Sequence, residues 1–225
     1  MNSSLTQDII SSGTTCVIAF LVWAAYRNKT VPSDLRYSTF GPRFWTGFVD
    51  ACVLTPINST INALLFLSLP NVLAALLVLI QNLVWLFYTV TLHARHGQTV
   101  GKMVTGVRVV DFRTEGRISW KQAWLREGIP AAADFVLLPY CIYLILSARI
   151  SPEQFVTGQG MQGTLWLLGL LPGLWFLAEV VTMLMNKKRR ALHDLIAGTV
   201  VIRTNIQEPS AEQGSPAAAP LPSVT

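Results

Sequence analysis

Charged residues are scarce in this chain of 225 amino acids: they make up 13% of it, whereas hydrophobic residues make up 52%. A soluble globular domain carries roughly twice that charged fraction, about 25%. The mean hydropathy of +0.46 agrees with a surface that faces lipid. The shortage of charge therefore excludes an ordinary soluble domain and indicates an integral membrane protein.

Cysteine and histidine are also rare, with three residues of each. Cys16, Cys52 and Cys141 each stand alone in an apolar run, a pattern that indicates neither a disulfide framework nor a metal site. His93 and His96 have helical spacing, but no Cys, Asp or Glu lies beside them to complete a metal site. We therefore predict no bound metal and no cofactor.

Catalytic motifs are missing as well. Residues 97–103, GQTVGKM, resemble a phosphate-binding loop but have three residues between the glycines instead of four, and Met103 replaces the Ser or Thr that would bind magnesium. The net charge of +5 is spread over basic stretches between apolar segments, which does not favour nucleic-acid binding. The sequence thus predicts neither an enzyme nor a nucleic-acid partner.

Long apolar runs are what the sequence has instead. They lie at residues 44–69, 72–92, 129–147 and 164–185, and each reaches or exceeds, to within one residue, the roughly 20 residues that a helix needs to cross a bilayer. Residues 9–26 form a weaker run that is interrupted by hydroxyl side chains. The predicted fold class is an all-α membrane protein, a polytopic bundle of about four transmembrane helices with a small cytoplasmic β element.

The chain divides into residues 1–40, with the marginal span and a basic loop, residues 41–205 as the membrane domain, and residues 206–225 as a disordered tail. Lys and Arg concentrate in residues 27–43, 93–127 and 186–190. Because basic loops stay in the cytoplasm, we expect a multi-pass protein with its N-terminus outside and its C-terminus in the cytoplasm.

Two patterns predict β-structure on the cytoplasmic side. GVRVVDF and GRIS flank a turn at residues 114–116 and predict a local hairpin. In addition, each helical hairpin opens with an Arg and an Asp and is followed by a glycine and a β-branched run, VRVV after Gly106 and TVVI after Gly198. An axis along the membrane normal would relate such a parallel repeat and could pair the two runs as an antiparallel ladder. Chance similarity is the alternative.

Ionisable side chains inside the predicted spans are the candidate functional residues, because such groups are costly in a bilayer. Asp50, Asp134 and Glu179 are candidate ion-binding or proton-binding acids. Arg43 shares a helix face with Asp50 but lies two turns away, roughly 10.5 Å along the axis, so we expect each to find another partner. The expected partners of the aspartate are Arg126, Asn82 or a water.

Static roles compete with transport chemistry for these residues. Arg43, Arg126 and Lys187 could serve as counterions that hold the spans in register. Asp194 follows a basic cluster in a predicted short helix, and Lys102 and Arg108 are its expected partners in a latch between the two halves. For the acids in the spans, transport chemistry and a structural role both stay open at this point.

Three segments carry a resemblance to a known family: Arg43 and Asp50 in the first strong span, GQTVGKMVTGVRVVD after the second, and RRALHDLIAGTVVIR after the last. With them the chain resembles the RDD family of integral membrane proteins over most of residues 41–203. The resemblance maps the family's arginine and two aspartates onto Arg43, Asp50 and Asp194. It implies a protein of the bacterial inner membrane with a transport function, since cation and proton exchange has been proposed for some members.

Two functions are compatible with the sequence. The first is a proton-linked transporter of a cation or a small solute, which would work as a homo-oligomer because four spans are few for a pore. The second is a noncatalytic membrane module that assembles with another membrane protein through its basic cytoplasmic surface. Membrane lipid is a partner in both.

Overall fold

The computed structural model describes residues 3–67, 69–157 and 164–207, and it is mostly helical. The helices are α1 (Ser3–Tyr26), α2 (Phe40–Leu65), α3 (Asn71–His96), α4 (Val100–Val104), α5 (Trp120–Leu146), α6 (Pro152–Thr157), α7 (Thr164–Met185) and α8 (Leu192–Ala197). The strands are β1 (Val31–Pro32), β2 (Val107–Asp111), β3 (Thr199–Arg203) and β4 (Ile206–Gln207). The predicted disordered tail lies outside the described residues from 208 onward.

Two helices, α2 and α3, are long and apolar enough to cross a membrane. Shorter apolar stretches lie in α1, at Ile10–Tyr26, and in α7, at Gly173–Met185. The third predicted span falls within α5, whose first turns carry charged residues such as Arg126 and Glu127. Among the described residues, the structure thus supports two of the four predicted spans as membrane-crossing helices.

A hydrophobic core joins α2, α3 and α5. Its buried members include Ile61 and Leu65 of α2, Ala74, Ala75 and Val78 of α3, and Leu138, Leu144 and Ile145 of α5. The small alanines let the helices approach closely, as in many membrane helix pairs. Pro70 precedes the first residue of α3, and Gly97 ends that helix with a φ of 69°, a left-handed conformation that suits glycine.

The first helix, α1, runs antiparallel to α2. The hydroxyl oxygens of Ser12 and Ser59 lie 3.3 Å apart near one end, and the sulfurs of Cys16 and Cys52 lie 3.2 Å apart further along. A small buried cluster continues the contact towards the other end: Ala19, Val22 and Val49. All three cysteines are free thiols, but the sequence gives no sign that two of them meet.

Strands β2 and β3 form an antiparallel ladder with Val109 opposite Val201 at its centre. This is the pairing that the repeat predicts. The predicted local hairpin is wrong, because the residues that follow the turn form no strand. The Asp111 carboxylate accepts the backbone N–H groups of Arg113 and Thr114, each at 2.9 Å, and this turn leads the chain towards α5 instead of back along β2.

The two halves of the repeat meet at the centre of the ladder. The same number of residues separates Gly106 from Gly198 as separates Val109 from Val201, and both glycines have a φ of 66° just before their strands. Val109 and Val201 are therefore equivalent residues that face each other, and the pairs on either side of them are related as a two-fold axis through the middle of the ladder requires. The short helices α4 and α8 precede these glycines and are equivalent in the same sense.

Replacing Gly198 with alanine should weaken the ladder through the backbone alone. At a φ of 66° the alanine Cβ would meet only the Gln122 amide, at 3.9 Å, while the left-handed conformation costs roughly 1–2 kcal/mol. We expect the free energy of unfolding, measured by SDS titration from mild-detergent micelles, to fall by that amount. Gly47→Ala inside α2 is the control, since its Cβ meets nothing within 4 Å; equal losses in both variants would contradict this account.

Candidate functional site

Asp194 lies at the centre of the polar site and is completely buried. It belongs to α8, where its Oδ2 accepts the backbone N–H of Ala191 at 3.1 Å and so caps the start of the helix. Its Oδ1 accepts the hydroxyl of Thr199 at 2.9 Å. The turn at Gly198 makes this second bond possible, because it brings the first residue of β3 back towards the helix.

Two arginines from different helices share this carboxylate. Arg43, near the start of α2, places its Nη1 2.7 Å from Oδ2 of Asp194, and Arg126 of α5 pairs with Oδ1. The side chains of both arginines are at most 8% exposed. Burial raises the pKa of the Asp194 carboxyl, but the charges of Arg126 and Arg43 outweigh it and hold that pKa well below its usual range. One carboxylate thereby connects α2, α5 and α8.

His193 extends the network to α7. Its Nε2 lies 3.0 Å from Nη2 of Arg43, and its Nδ1 is hydrogen-bonded to Glu179. Burial and the charge of Arg126 lower the pKa of His193, which favours the neutral ring. Because an arginine only donates, Nε2 is the acceptor and the proton lies on Nδ1, facing Glu179. Trp175 donates its indole N–H to the same carboxylate at 2.8 Å.

A second carboxylate, Glu127, lies on the other side of Arg126. Its Oε1 is 3.2 Å from Nε of Arg126 and 3.0 Å from Nδ1 of His93. Neighbouring side chains therefore form a continuous set of titratable and charged groups from α7 to α3. We call this set the ionic centre: Glu179, His193, Arg43, Asp194, Arg126, Glu127 and His93.

A cavity of about 170 Å³ opens beside the ionic centre. Its polar lining consists of Arg43, Lys102, Arg126, Glu179 and His193, and aromatic rings are among its apolar lining. Burial and the charge of Arg126 lower the pKa of Lys102 to about 8. The cavity thus brings three ionisable side chains, a lysine, a histidine and a glutamate, within reach of one small ligand.

Asp50 has a site of its own, between α2 and the start of α4. Its carboxylate accepts three hydrogen bonds of 2.7 Å, from the hydroxyls of Tyr88 and Thr99 and from the backbone N–H of Gly101. Gly101 is needed for this approach, because a Cβ there would lie 2.4 Å from the Thr46 carbonyl oxygen and 2.9 Å from the carboxyl carbon of Asp50. Asp50 therefore anchors α4 to α2.

The structure separates the predicted site residues into these two places. Those in or beside the ionic centre are Arg43, Arg126, Asp194, Glu179 and Lys102. Asp50 occupies its separate pocket, and Asp134 belongs to α5, but the Asp134 side chain lies outside the described part of the structure.

The pairings differ from those expected from the sequence. Arg126 binds Asp194 and not Asp50. Asp194 finds Arg43 and Arg126 in place of Lys102 and Arg108, with which it forms no ion pair in the described structure. The expected contact between the two halves is nevertheless present at Asp194, because α8 of the second half binds the arginine that opens the first.

Sequence reasoning missed several members of these sites: Glu127, His193, Tyr88, Thr99 and Thr199. Two of them had a signal, since Glu127 directly follows Arg126 and His193 directly precedes Asp194 in the sequence. His93, whose spacing with His96 does not predict a metal site, is a further member of the ionic centre through Glu127. Across the residues that the structure describes, no group of three or more His, Cys, Asp or Glu side chains could hold a metal ion.

A model of the RDD family matches residues 37–198, a range that contains the Asp50 pocket and all of the ionic centre. The chain belongs to the RDD family. This RDD protein is also similar to a Bacillus subtilis (strain 168) protein described as "Uncharacterized membrane protein YteJ", with 27% identity over 112 residues that cover 47% of this chain and 68% of that protein. No solved structure matches. The family recognised from the sequence motifs is thus confirmed.

Two substitutions at Asp50 should separate hydrogen bonding from simple volume. Asparagine keeps one oxygen for Tyr88 and Gly101 and can turn its amide to the rotatable Thr99 hydroxyl, so we expect a loss of about 1 kcal/mol in the free energy of unfolding. Leucine leaves three donors without an acceptor, at roughly 1–3 kcal/mol each, so its loss should be several times larger. SDS titration measures both, and similar losses would contradict the pocket described here.

Proposed function

We propose that this RDD protein is a proton-linked transporter of a cation or a small solute, in which Glu179 and His193 take up and release the proton. The observation that carries the proposal is their hydrogen bond at the wall of the cavity. There the side chain of Glu179 is 17% exposed and that of His193 is 13% exposed, whereas Asp194 behind them is fully buried. Water or a ligand can therefore reach this pair but not Asp194.

In transport, a proton and the transported cation or solute would compete for the Glu179 carboxylate. In the ionised form it accepts the Nδ1–H of His193 and the indole N–H of Trp175. A cation or a hydrogen-bonding solute in the cavity would bind the same oxygens, and a proton would displace it. Lys102 lines the cavity and has a pKa of about 8, so its deprotonation would favour the entry of a cation.

Asp50 and Asp134 stay predicted ion-binding or proton-binding residues. As a candidate proton site we rank Asp50 below Glu179. Asp50 is only 3% exposed, and three hydrogen-bond donors already hold its oxygens. Glu179 has free access to the cavity and a titratable neighbour. The proton site of the proposal is therefore Glu179 with His193.

We extend the proposal to the placement in the membrane. Helices α5 and α7 would cross the bilayer beside α2 and α3, in a homo-oligomer in the bacterial inner membrane. The basic residues at the end of α3 and after α7 would hold the β2–β3 ladder, the ionic centre and the C-terminus on the cytoplasmic side. The cavity would then load from the cytoplasm.

A specific observation favours the second candidate function, a noncatalytic module that assembles with another membrane protein. Arg43 and Arg126 are both paired with Asp194, and two buried arginines held by one acid also suit a rigid scaffold. The two functions make opposite predictions for Glu179, because only transport needs that carboxylate to titrate.

Glu179→Gln should abolish proton-linked flux while the protein stays folded. The measurement uses sealed proteoliposomes with an internal pH-sensitive dye, to which sodium, potassium or lithium is added in turn. Glu115→Gln is the matched control, since Glu115 pairs with Arg36 away from the cavity, and it should keep the flux of the unaltered protein. Absence of ion-dependent proton movement in folded, correctly inserted protein would contradict transport of these cations, and equal flux in both variants would reject Glu179 as the proton site.

A further inference from the structure

We propose that Cys16 and Cys52 are a redox pair that forms a disulfide bond between α1 and α2 when a quinone dissolved in the bilayer accepts their electrons. Their sulfurs lie 3.2 Å apart. A disulfide has a sulfur–sulfur distance of about 2.05 Å, so a shift of about 1 Å joins them. Cys16 lies outside the residues that the family model matches, and the pairing is thus a property of this chain and not of the family motifs.

The packing of the two helices fixes the position of the thiols. The hydroxyls of Ser12 and Ser59 meet on one side of the pair. On the other side, the buried cluster of Ala19, Val22 and Val49 holds the helices together. Contacts on both sides of the pair fix the position of α1 along α2. The packing of the helices therefore brings the two sulfurs together, and not one chance rotamer alone.

The surroundings of Cys16 decide which kind of oxidant can reach the pair. Cys16 is exposed, and its neighbours Val17 and Phe20 are 60% and 62% exposed, so this face of α1 is an apolar surface suited to lipid. Exchange with a water-soluble disulfide requires a thiolate, which an apolar environment disfavours. A lipid-soluble acceptor of two electrons can reach the thiols directly, and quinones are such acceptors.

The reaction balances with the quinone as the only co-reactant. Each thiol loses one hydrogen, one sulfur–sulfur bond forms, and the quinone takes up two electrons and two protons to become the quinol. The new bond would fix α1 against α2. It would also hold α1 beside Val104 of α4, which packs against the same small cluster.

Oxidation in liposomes tests the proposal directly and measures no transport, so its outcome is independent of the proposed function. The protein carries Cys141→Ser and a protease site in the loop after α1, and it is treated with a decyl-substituted benzoquinone. We expect the intact mass to fall by two hydrogens in most molecules. The two fragments should then stay joined after proteolysis on a non-reducing gel and separate when dithiothreitol is added.

A displaced thiol is the matched control. Cys16→Ser combined with Val17→Cys keeps the number of thiols but turns one of them by about 100° around α1, and it should not crosslink. Free thiols in folded, quinone-treated protein would overturn the redox pair, as would equal crosslinking in the displaced variant. Glutathione disulfide should leave the thiols free, and crosslinking by it at the same rate would overturn the assignment to a lipid-soluble oxidant.

Discussion

The carboxylate of Asp194, shared by two buried guanidinium groups, is the interaction on which the rest of the structure depends. Arg43 and Arg126 open the two helical hairpins, and both converge on this one acid. The same residue caps α8 through the Ala191 N–H and receives the hydroxyl of Thr199 at the start of β3. Hairpins, short helix and ladder therefore meet at a single side chain.

The charges of this centre affect the protonation of His193, which lies beside the cavity. Burying the charges of Asp194, Arg43 and Arg126 is costly, and each is tolerated because its partners are fixed in place. Burial lowers the pKa of His193, and the positive charge that holds the pKa of Asp194 low lowers it further. An aspartate held in its ionised form by two arginines thus lies beside a histidine for which the neutral form is favoured, and the histidine faces Glu179 at the cavity. Asp194 with its two arginines and His193 with Glu179 are two parts of one network.

The repeat explains why the arrangement is asymmetric. The β2–β3 ladder is centred on the equivalent residues Val109 and Val201, and the residue that corresponds to Asp194 in the first half is Lys102, four residues before its glycine. The second half supplies Asp194 to the ionic centre, and the first half supplies Lys102 to the cavity. Two equivalent arginines can therefore share one carboxylate without a second acid opposite them.

Patterns within one element, and the strand pairing implied by the repeat, could be predicted from the sequence, whereas the side-chain contacts between distant elements could not. The lengths of the apolar runs predicted α2 and α3, and the β-branched runs after Gly106 and Gly198 predicted the ladder. The family motifs indicated Arg43, Asp50 and Asp194. The two arginine partners of Asp194 were missed because the pairing depends on how α2 and α5 pack around α8, and local sequence spacing does not encode that packing. The contact between Cys16 and Cys52 could not be predicted for the same reason. The predicted local hairpin was wrong because β2 pairs with the distant strand β3 instead.

The measurement that tests the central claim is a double-mutant cycle on the free energy of unfolding. Asp194→Asn should cost roughly 3–5 kcal/mol, because it leaves two buried arginines short of charge. In that background Arg43→Met should cost much less than it does alone, since it removes a charge that has lost its partner, whereas Arg36→Met, which breaks the more exposed pair with Glu115, should simply add. Additive losses for Arg43 and Asp194 would contradict the shared carboxylate as the basis of the fold.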